Sequence, residues 1–279
     1  ELQADILRES AVSWRMKFNM ARNWNRFEKS YSGKDVVDGD GTLLVVGRPL
    51  NGLYVWAHRG YYNSDAEVPR LYKIDGQEIY FNGVATNGIS GAVGDYRLLD
   101  LDGDGNPDSY YAGSPLPLAH GGWVNELMWK NFDLNVLVNF TIGRKMINNR
   151  MGLGFSRQSE DGHLTKLFDY RKLRPWDGVN KKPNAPAWGN SLSMNTDSAI
   201  EKVHHLALKQ ITLGYNLPDR ISKKAGLSGV RFFLTAENLF YLSNYSGGNP
   251  EVVNIYTGRD NGDTYPLPRK YTLGLTLNF

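Results

Sequence analysis

The stretch "FDLNVLVNFTIG", residues 132–143, alternates with a period of two. Phe132, Leu134, Val136, Val138, Phe140 and Ile142 share one parity, and Leu137 is the only large apolar residue on the other. Successive side chains of a strand point to opposite faces, so one face of this segment meets an apolar medium and the other meets water. A protein core and a lipid bilayer both supply such a medium, and one strand does not separate them.

The same pattern recurs along the chain. Val12, Trp14, Met16, Phe18 and Met20 alternate with Ser13, Arg15, Lys17 and Asn19, and the run 270–279 alternates Lys270, Thr272, Gly274, Thr276 and Asn278 with Tyr271, Leu273, Leu275, Leu277 and Phe279. Further strands are expected at residues 2–7, 122–129, 204–215 and 230–242, which makes seven. The parity of the fifth slips near Lys209 and Gln210, as at a β-bulge. A single helical turn fits between Asp219 and Gly226. With 30 glycines, 16 tyrosines and 7 tryptophans, the expected class is all-β.

Spacing between the strands separates the two media better than any strand does. Short turns at residues 8–10, 130–131 and 216–229 alternate with long stretches at about 29–119, 148–202 and 243–268. Brief turns on one side and extended loops on the other characterise an antiparallel outer-membrane barrel, with the short turns in the periplasm. Trp14, Trp24, Phe27, Trp123, Trp129, Phe240, Tyr241 and Tyr271 lie near the expected strand ends, where interfacial girdles form. A soluble sandwich would use the same aromatics as core, but structureless connections of roughly 90 and 55 residues are uncommon in compact domains. No run approaches the roughly 20 apolar residues of a membrane helix, which leaves membrane strands of about 10 residues untouched.

Composition excludes other classes. A net charge of +3, with no basic run interleaved with aromatics, argues against nucleic acid as a partner. With no cysteine there is neither a disulfide nor a thiolate metal site. Nucleophile-elbow, zinc-protease, phosphate-loop and dinucleotide signatures are missing, so no enzyme is expected.

Six segments, taken in order, carry a resemblance to a known family. They are "VSWRMKFNMARNWNRFEK", "VGRPLNGLYVWAHRGYY", "GDYRLLDLDGDGNPD" followed by "GSPLPLAHGGWVNELMWKNFDLNVLVNFTIGRKMINN", "LALKQITLGYNLP", "VRFFLTAENLFYLSNYSGGNPEV" and "YPLPRKYTLGLTLNF". Together they resemble the SusC/RagA-type TonB-linked outer-membrane transporters of Bacteroidota. The resemblance implies TonB-energised uptake of oligosaccharides or peptides, a SusD-like surface lipoprotein as partner, and an outer-membrane location. It also implies a plug and a barrel of about 22 strands, so this chain reads as the C-terminal part of a longer polypeptide whose plug, TonB contact and earlier strands lie elsewhere. Tyr271, Leu273, Leu275, Leu277 and Phe279 would form the strand recognised by the barrel assembly machinery. A soluble extracellular carbohydrate-binding or adhesion module and a passive porin-like barrel are the competing readings.

Two sets of loop residues are candidate sites. Asp100, Asp102, Asp104, Asn106 and Asp108 alternate, with Gly105 at the sixth position of a calcium-loop pattern, but Tyr111 stands where the bidentate Glu of such a loop belongs. A calcium site and an ion-free acidic turn are both open. Tyr54, Trp56, Trp176 and Trp188 are candidates for stacking on cargo, against a role in packing the loops. His204 and His205 are neighbours on a strand, point to opposite faces and are expected to be wall residues.

Overall fold

The computed structural model describes residues 1–8, 11–37, 43–68, 70–72, 78–80, 93–101, 108–149, 174–179, 182–187, 196–262 and 264–279. Seven antiparallel strands run through one open sheet: β1 (Leu2–Leu7), β2 (Val12–Ala21), β3 (Ala119–Trp129), β4 (Phe132–Asn148), β5 (Ile200–Asn216), β6 (Gly229–Ser243) and β7 (Lys270–Asn278), and the two-residue strand Arg259–Asp260 adds to it by pairing parallel with the loop end of β4. Their order in the sheet is their order in the chain, and β1 and β7 are its two edges. Each expected strand is present. β4 and β5 run further at their loop ends than their alternation announces, because there they pair through Arg144–Val203 to Ile147–Ile200.

Registers place the apolar parities of all seven strands on one face. Trp129, Phe132, Tyr215 and Phe232 stand side by side across four strands, followed by Leu127, Leu134, Leu213 and Leu234 in the next row. The expected bulge lies at Lys209: the β4–β5 register shifts by one residue between Leu137 and Val138, and β6 accommodates a further residue at Asn238, which adopts φ 53°. The slip keeps Leu206 and Leu208 on the same face as Ile211, Leu213 and Tyr215 although their parity differs.

This apolar face is open to its surroundings. Leu213, Phe232, Leu234, Leu275 and Leu277 are exposed, and Leu273 is 81% exposed. The 11 residues of β3 rise about 34 Å along the strand and about 26 Å in height at a tilt near 40°, the height of a bilayer's apolar band. Its one amide, Asn125, is capped from the same face by Trp14, whose Nε1–H donates to Oδ1 at 3.1 Å.

The opposite face is polar and cross-linked. Lys17 Nζ meets Glu126 Oε1 at 2.7 Å, Arg15 Nε meets Asp5 Oδ1 at 2.7 Å, and Arg231 meets Asp133 through Nε at 3.2 Å and Nη2 at 2.5 Å. Gly214 makes the last pair possible: a Cβ there would lie 2.4 Å from both Arg231 Nη2 and Asp133 Oδ1. Such charges would be costly on a lipid face and are cheap on a wetted one.

The girdle is sharper than the sequence suggests, and partly elsewhere. Trp129 belongs to the aromatic row at the turn end, with ring centroids 6.1 Å from Phe132 to Trp129 and 4.7 Å from Phe132 to Tyr215. Trp123 instead pairs with Phe18 and Val138 in the middle of the band, and Tyr241 pairs with Ala207 on the polar face. Trp24 and Phe27 lie beyond the end of β2.

The packed core sits at the loop ends of the strands and in the segments beyond them. Leu53, Val55, Ala112 and Ile147 form one cluster, and Met146, Val203, Tyr245 and Val253 another. Residues within the first long stretch build small antiparallel pairs, Leu53–Trp56 with Ser109–Gly113 and His58–Tyr61 with Tyr96–Leu98, so that stretch is not structureless.

Candidate functional site

Near the loop end of the polar face, residues 249–256 fold inward as a strap across β4 and β5. Asn249 opens it, accepting the N–H of Glu251 on Oδ1 at 2.9 Å and starting the 3-10 turn Pro250–Val252. The strap is held by Arg144, which is buried. Its Nε donates to Pro115 O at 3.2 Å, Nη1 to Pro250 O at 3.1 Å, and Nη2 to Val253 O at 2.8 Å and Asn254 O at 2.6 Å. A buried guanidinium is tolerated only when its fork of N–H donors is satisfied, and here backbone carbonyls take that role.

Gly143 positions this clamp. It adopts φ 71°, and a Cβ would lie 2.6 Å from Leu118 Cδ1. The β4–β5 register breaks between Thr141 and Arg144 at this point, which re-aims the arginine under the strap.

Glu251 supplies a second anchor. Its Oε2 lies 3.2 Å from Lys209 Nζ, and its Oε1 lies 3.8 Å from Nε2 of His205. The imidazole of His205 and the Lys209 ammonium hold its carboxyl below the usual carboxylate range, against the opposing effect of burial. Bulging out Lys209 is what lets the ammonium reach the strap.

Between wall and strap lies a cavity of about 700 Å³, lined from the wall by Asn19, His120, Asn139, Thr141 and His205. The His205 side chain is 6% exposed. Its Nδ1 and that of His120 have no hydrogen-bond partner in the structure. Their registers explain the convergence: His120 and His205 both pair with Thr141, one from each side. The cavity thus offers unpaired ring nitrogens, amides and a hydroxyl, while its charges are already matched.

The stacking candidates lie apart from this cavity and pack the loops. Tyr54 tilts against Tyr111 with centroids 5.7 Å apart, and its buried hydroxyl lacks a partner. Trp56 pairs with Ser109 and bridges to Thr196. Trp176 donates from Nε1 to Asn63 Oδ1 at 3.2 Å and lies so close to Gly94 that a Cβ there would meet its Cε3 at 2.7 Å. Trp188 lies outside the described residues.

Of the acidic loop, Asp102, Asp104 and Asn106 lie outside the described residues. Asp108 accepts the N–H of Leu101 on Oδ2 at 2.5 Å and closes the neck of that loop. Among the described residues no group of three or more His, Asp and Glu is arranged to hold a metal ion. His204 and His205 alternate as expected: His204 gives its backbone N–H to Asn244 Oδ1 at 2.7 Å, and His205 faces the cavity.

A polar cluster missed by sequence reasoning joins two long loops. Asp197 pairs with Nδ1 of His58 and accepts from the Tyr110 hydroxyl at 3.1 Å, while Ser198 donates to the Tyr96 hydroxyl at 3.0 Å. Tyr61 stacks on Tyr96 at 5.4 Å. Burial pushes both of these phenols above their ordinary range, so they remain neutral. The strap and the Arg144 clamp were also missed. The only local signal is an arginine directly after a glycine that breaks strict alternation.

Comparison with known proteins agrees with this architecture. No protein-family model matches the chain. TonB-dependent receptor P3 of Formosa agariphila is 25% identical over 96% of this chain and 27% of its own length, and receptor P26 of the same organism is 27% identical over 100% and 28%. TonB-dependent receptor SusC of Bacteroides thetaiotaomicron is 27% identical over 96% of this chain and 24% of its own. Among solved structures, that of the RagAB peptide transporter superposes with a TM-score of 0.69 at 22% identity, covering 99% of this chain and 28% of that one. The chain spans about a quarter of the length of these relatives. Over nearly all its residues, the chain is a homologue of TonB-dependent receptors, SusC among them, and it shares the fold of the matching part of the RagAB peptide transporter structure.

Proposed function

We propose that the chain is a wall sector of a TonB-energised outer-membrane importer that takes up oligosaccharides or peptides together with a SusD-like surface lipoprotein. The observation that carries this reading is the apolar face shared by seven strands, about one bilayer band high, whose amide Asn125 is capped by Trp14, backed by a polar face. Both sheet edges, β1 and β7, would pair with strands supplied by the rest of the receptor, because an unpaired edge in lipid leaves backbone groups unsatisfied. The plug and the TonB contact would come from the same remainder. Within this sector the strap cavity, with its unpaired His120 and His205 nitrogens, is the surface that cargo would meet.

The test is uptake by cells expressing the complete receptor, with fluorescent oligosaccharide and peptide pools offered in parallel. Loss of uptake on deleting the receptor, and again on deleting TonB, supports the reading. Uptake that survives loss of TonB turns it into a passive pore. Abundant folded protein free of membrane supports the soluble module instead.

A further inference from the structure

The short turns carry charge that the import reading does not use. Lys130 forms the β3–β4 turn, and Arg220, Lys223 and Lys224 lie in the helical β5–β6 turn formed by Asp219–Ser222 and Lys223–Ala225. The two turns are bonded to each other: Asn216 N–H donates to Asn131 O at 2.8 Å, and Asn131 Nδ2 returns a bond to Asn216 O at 2.8 Å. All four cations therefore share one rim and are exposed. Among the described residues none of them forms an ion pair. Nearby Asp133 is engaged by Arg231, leaving Asp219 as the one carboxylate within the two turns.

Immediately inside this rim, on the outer face, runs the aromatic row Trp129, Phe132, Tyr215 and Phe232. Lys130 Nζ lies 5.0 Å from the centre of the Trp129 ring, so cation and aromatic already share one level. The helical turn packs against β6. There Val230 is 9% exposed, whereas Phe232, next on the same face, is 46% exposed. Ile221 of that turn is also exposed. Apolar band, aromatic row and unpaired cations thus succeed one another over a few ångströms, the order in which acyl chain, glycerol and phosphate succeed one another in a leaflet.

We propose that this rim is a binding surface for anionic phospholipid, with the headgroup phosphate between Lys130 and the Arg220, Lys223 and Lys224 cluster and the acyl chains along the aromatic row. The inference rests on the membrane reading above and adds a preference for net-negative over zwitterionic headgroups. Each cation near an anionic surface favours it about fivefold at moderate salt.

The experiment reconstitutes the complete receptor in nanodiscs of phosphatidylcholine with a minor fraction of phosphatidylglycerol, and counts the lipids retained on gentle release by native mass spectrometry. Enrichment of phosphatidylglycerol is expected, falling about fivefold per charge removed in R220Q, K223Q and K224Q and fading at high salt. Lys17→Gln, on the polar face and paired with Glu126, should leave the enrichment unchanged. Equal retention of both lipids by the unaltered receptor, or full enrichment in the triple variant, overturns the proposal while leaving membrane insertion intact. A receptor that enters neither bilayer overturns the membrane reading itself.

Discussion

An arginine scan along β4 gives a depth-resolved prediction. Phe132, Val136 and Ile142 lie on the apolar face at the turn end, the middle and the loop end of the band, and Asn135 lies on the polar face opposite Glu126. Arginine at the midplane of a membrane barrel costs about 2–4 kcal/mol and near the interfaces about 0–1 kcal/mol. Val136→Arg should therefore lower the folding equilibrium about 30- to 700-fold, since 1.4 kcal/mol is tenfold. Phe132→Arg and Ile142→Arg should lower it less than about fivefold from the charge alone. Asn135→Arg should be near neutral, because its guanidinium gains Glu126 as a neighbour in water. The assay is reversible denaturant unfolding of the complete receptor into lipid vesicles, followed by tryptophan emission and electrophoretic heat-modifiability. A cost that is flat along the apolar face would refute the bilayer and indicate a packed protein core. A cost larger at Asn135 than at Val136 would refute the assignment of faces.

Three further outcomes follow from named contacts. Arg144→Met removes four charge-assisted bonds and strands the carbonyls of the strap. It should cost about 3 kcal/mol or more and raise amide exchange at residues 250–256, whereas unchanged exchange would show that the strap is held by packing alone. Glu251 titrates below the usual carboxylate range because of His205 and Lys209. Its contribution is fully present above the ordinary carboxylate pKa and is lost as pH falls through the depressed one, so the protection of the strap amides relative to their intrinsic exchange rates should be constant from neutral pH to about 5 and fall only below that. An onset near neutrality would contradict the geometry. Trp14→Phe leaves Asn125 Oδ1 without its donor on the apolar face and should cost about 1–3 kcal/mol in the same unfolding assay, while Trp14→Phe paired with Asn125→Leu should recover most of it.

Much of the fold was legible because strand parity is a local property. Phe132 to Ile142 announces both the strand and its faces, and Lys209 announces its own bulge by shifting the parity around it. Loop ends were less legible. β4 continues from Gly143 to Asn148 because Val203 and Ile200 lie opposite it, and nothing within "GRKMIN" states that partnership. Aromatics near strand ends were over-read for the same reason: Trp123 and Tyr241 are close to strand ends in sequence, but register puts one at mid-band and the other on the polar face. The candidate site was the least legible part. Arg144 and His205 are brought together by the β4–β5 pairing, and Glu251 joins them only through the strap, none of which is local in sequence, while Tyr54 and Trp176, proposed from sequence as stacking platforms, contact Tyr111, Asn63 and Gly94 in the loops.

The most direct measurement of the central claim is the collision profile of spin labels along β4 in the reconstituted receptor. This chain contains no cysteine, so within it each label at positions 132–142 is attached to a single introduced thiol. Labels at 132, 134, 136, 138, 140 and 142 should collide preferentially with lipid-soluble oxygen, most strongly near 136 and 138, and labels at 133, 135, 137, 139 and 141 with a water-soluble nickel chelate. A profile without alternation, or one with its parities reversed, would contradict the account.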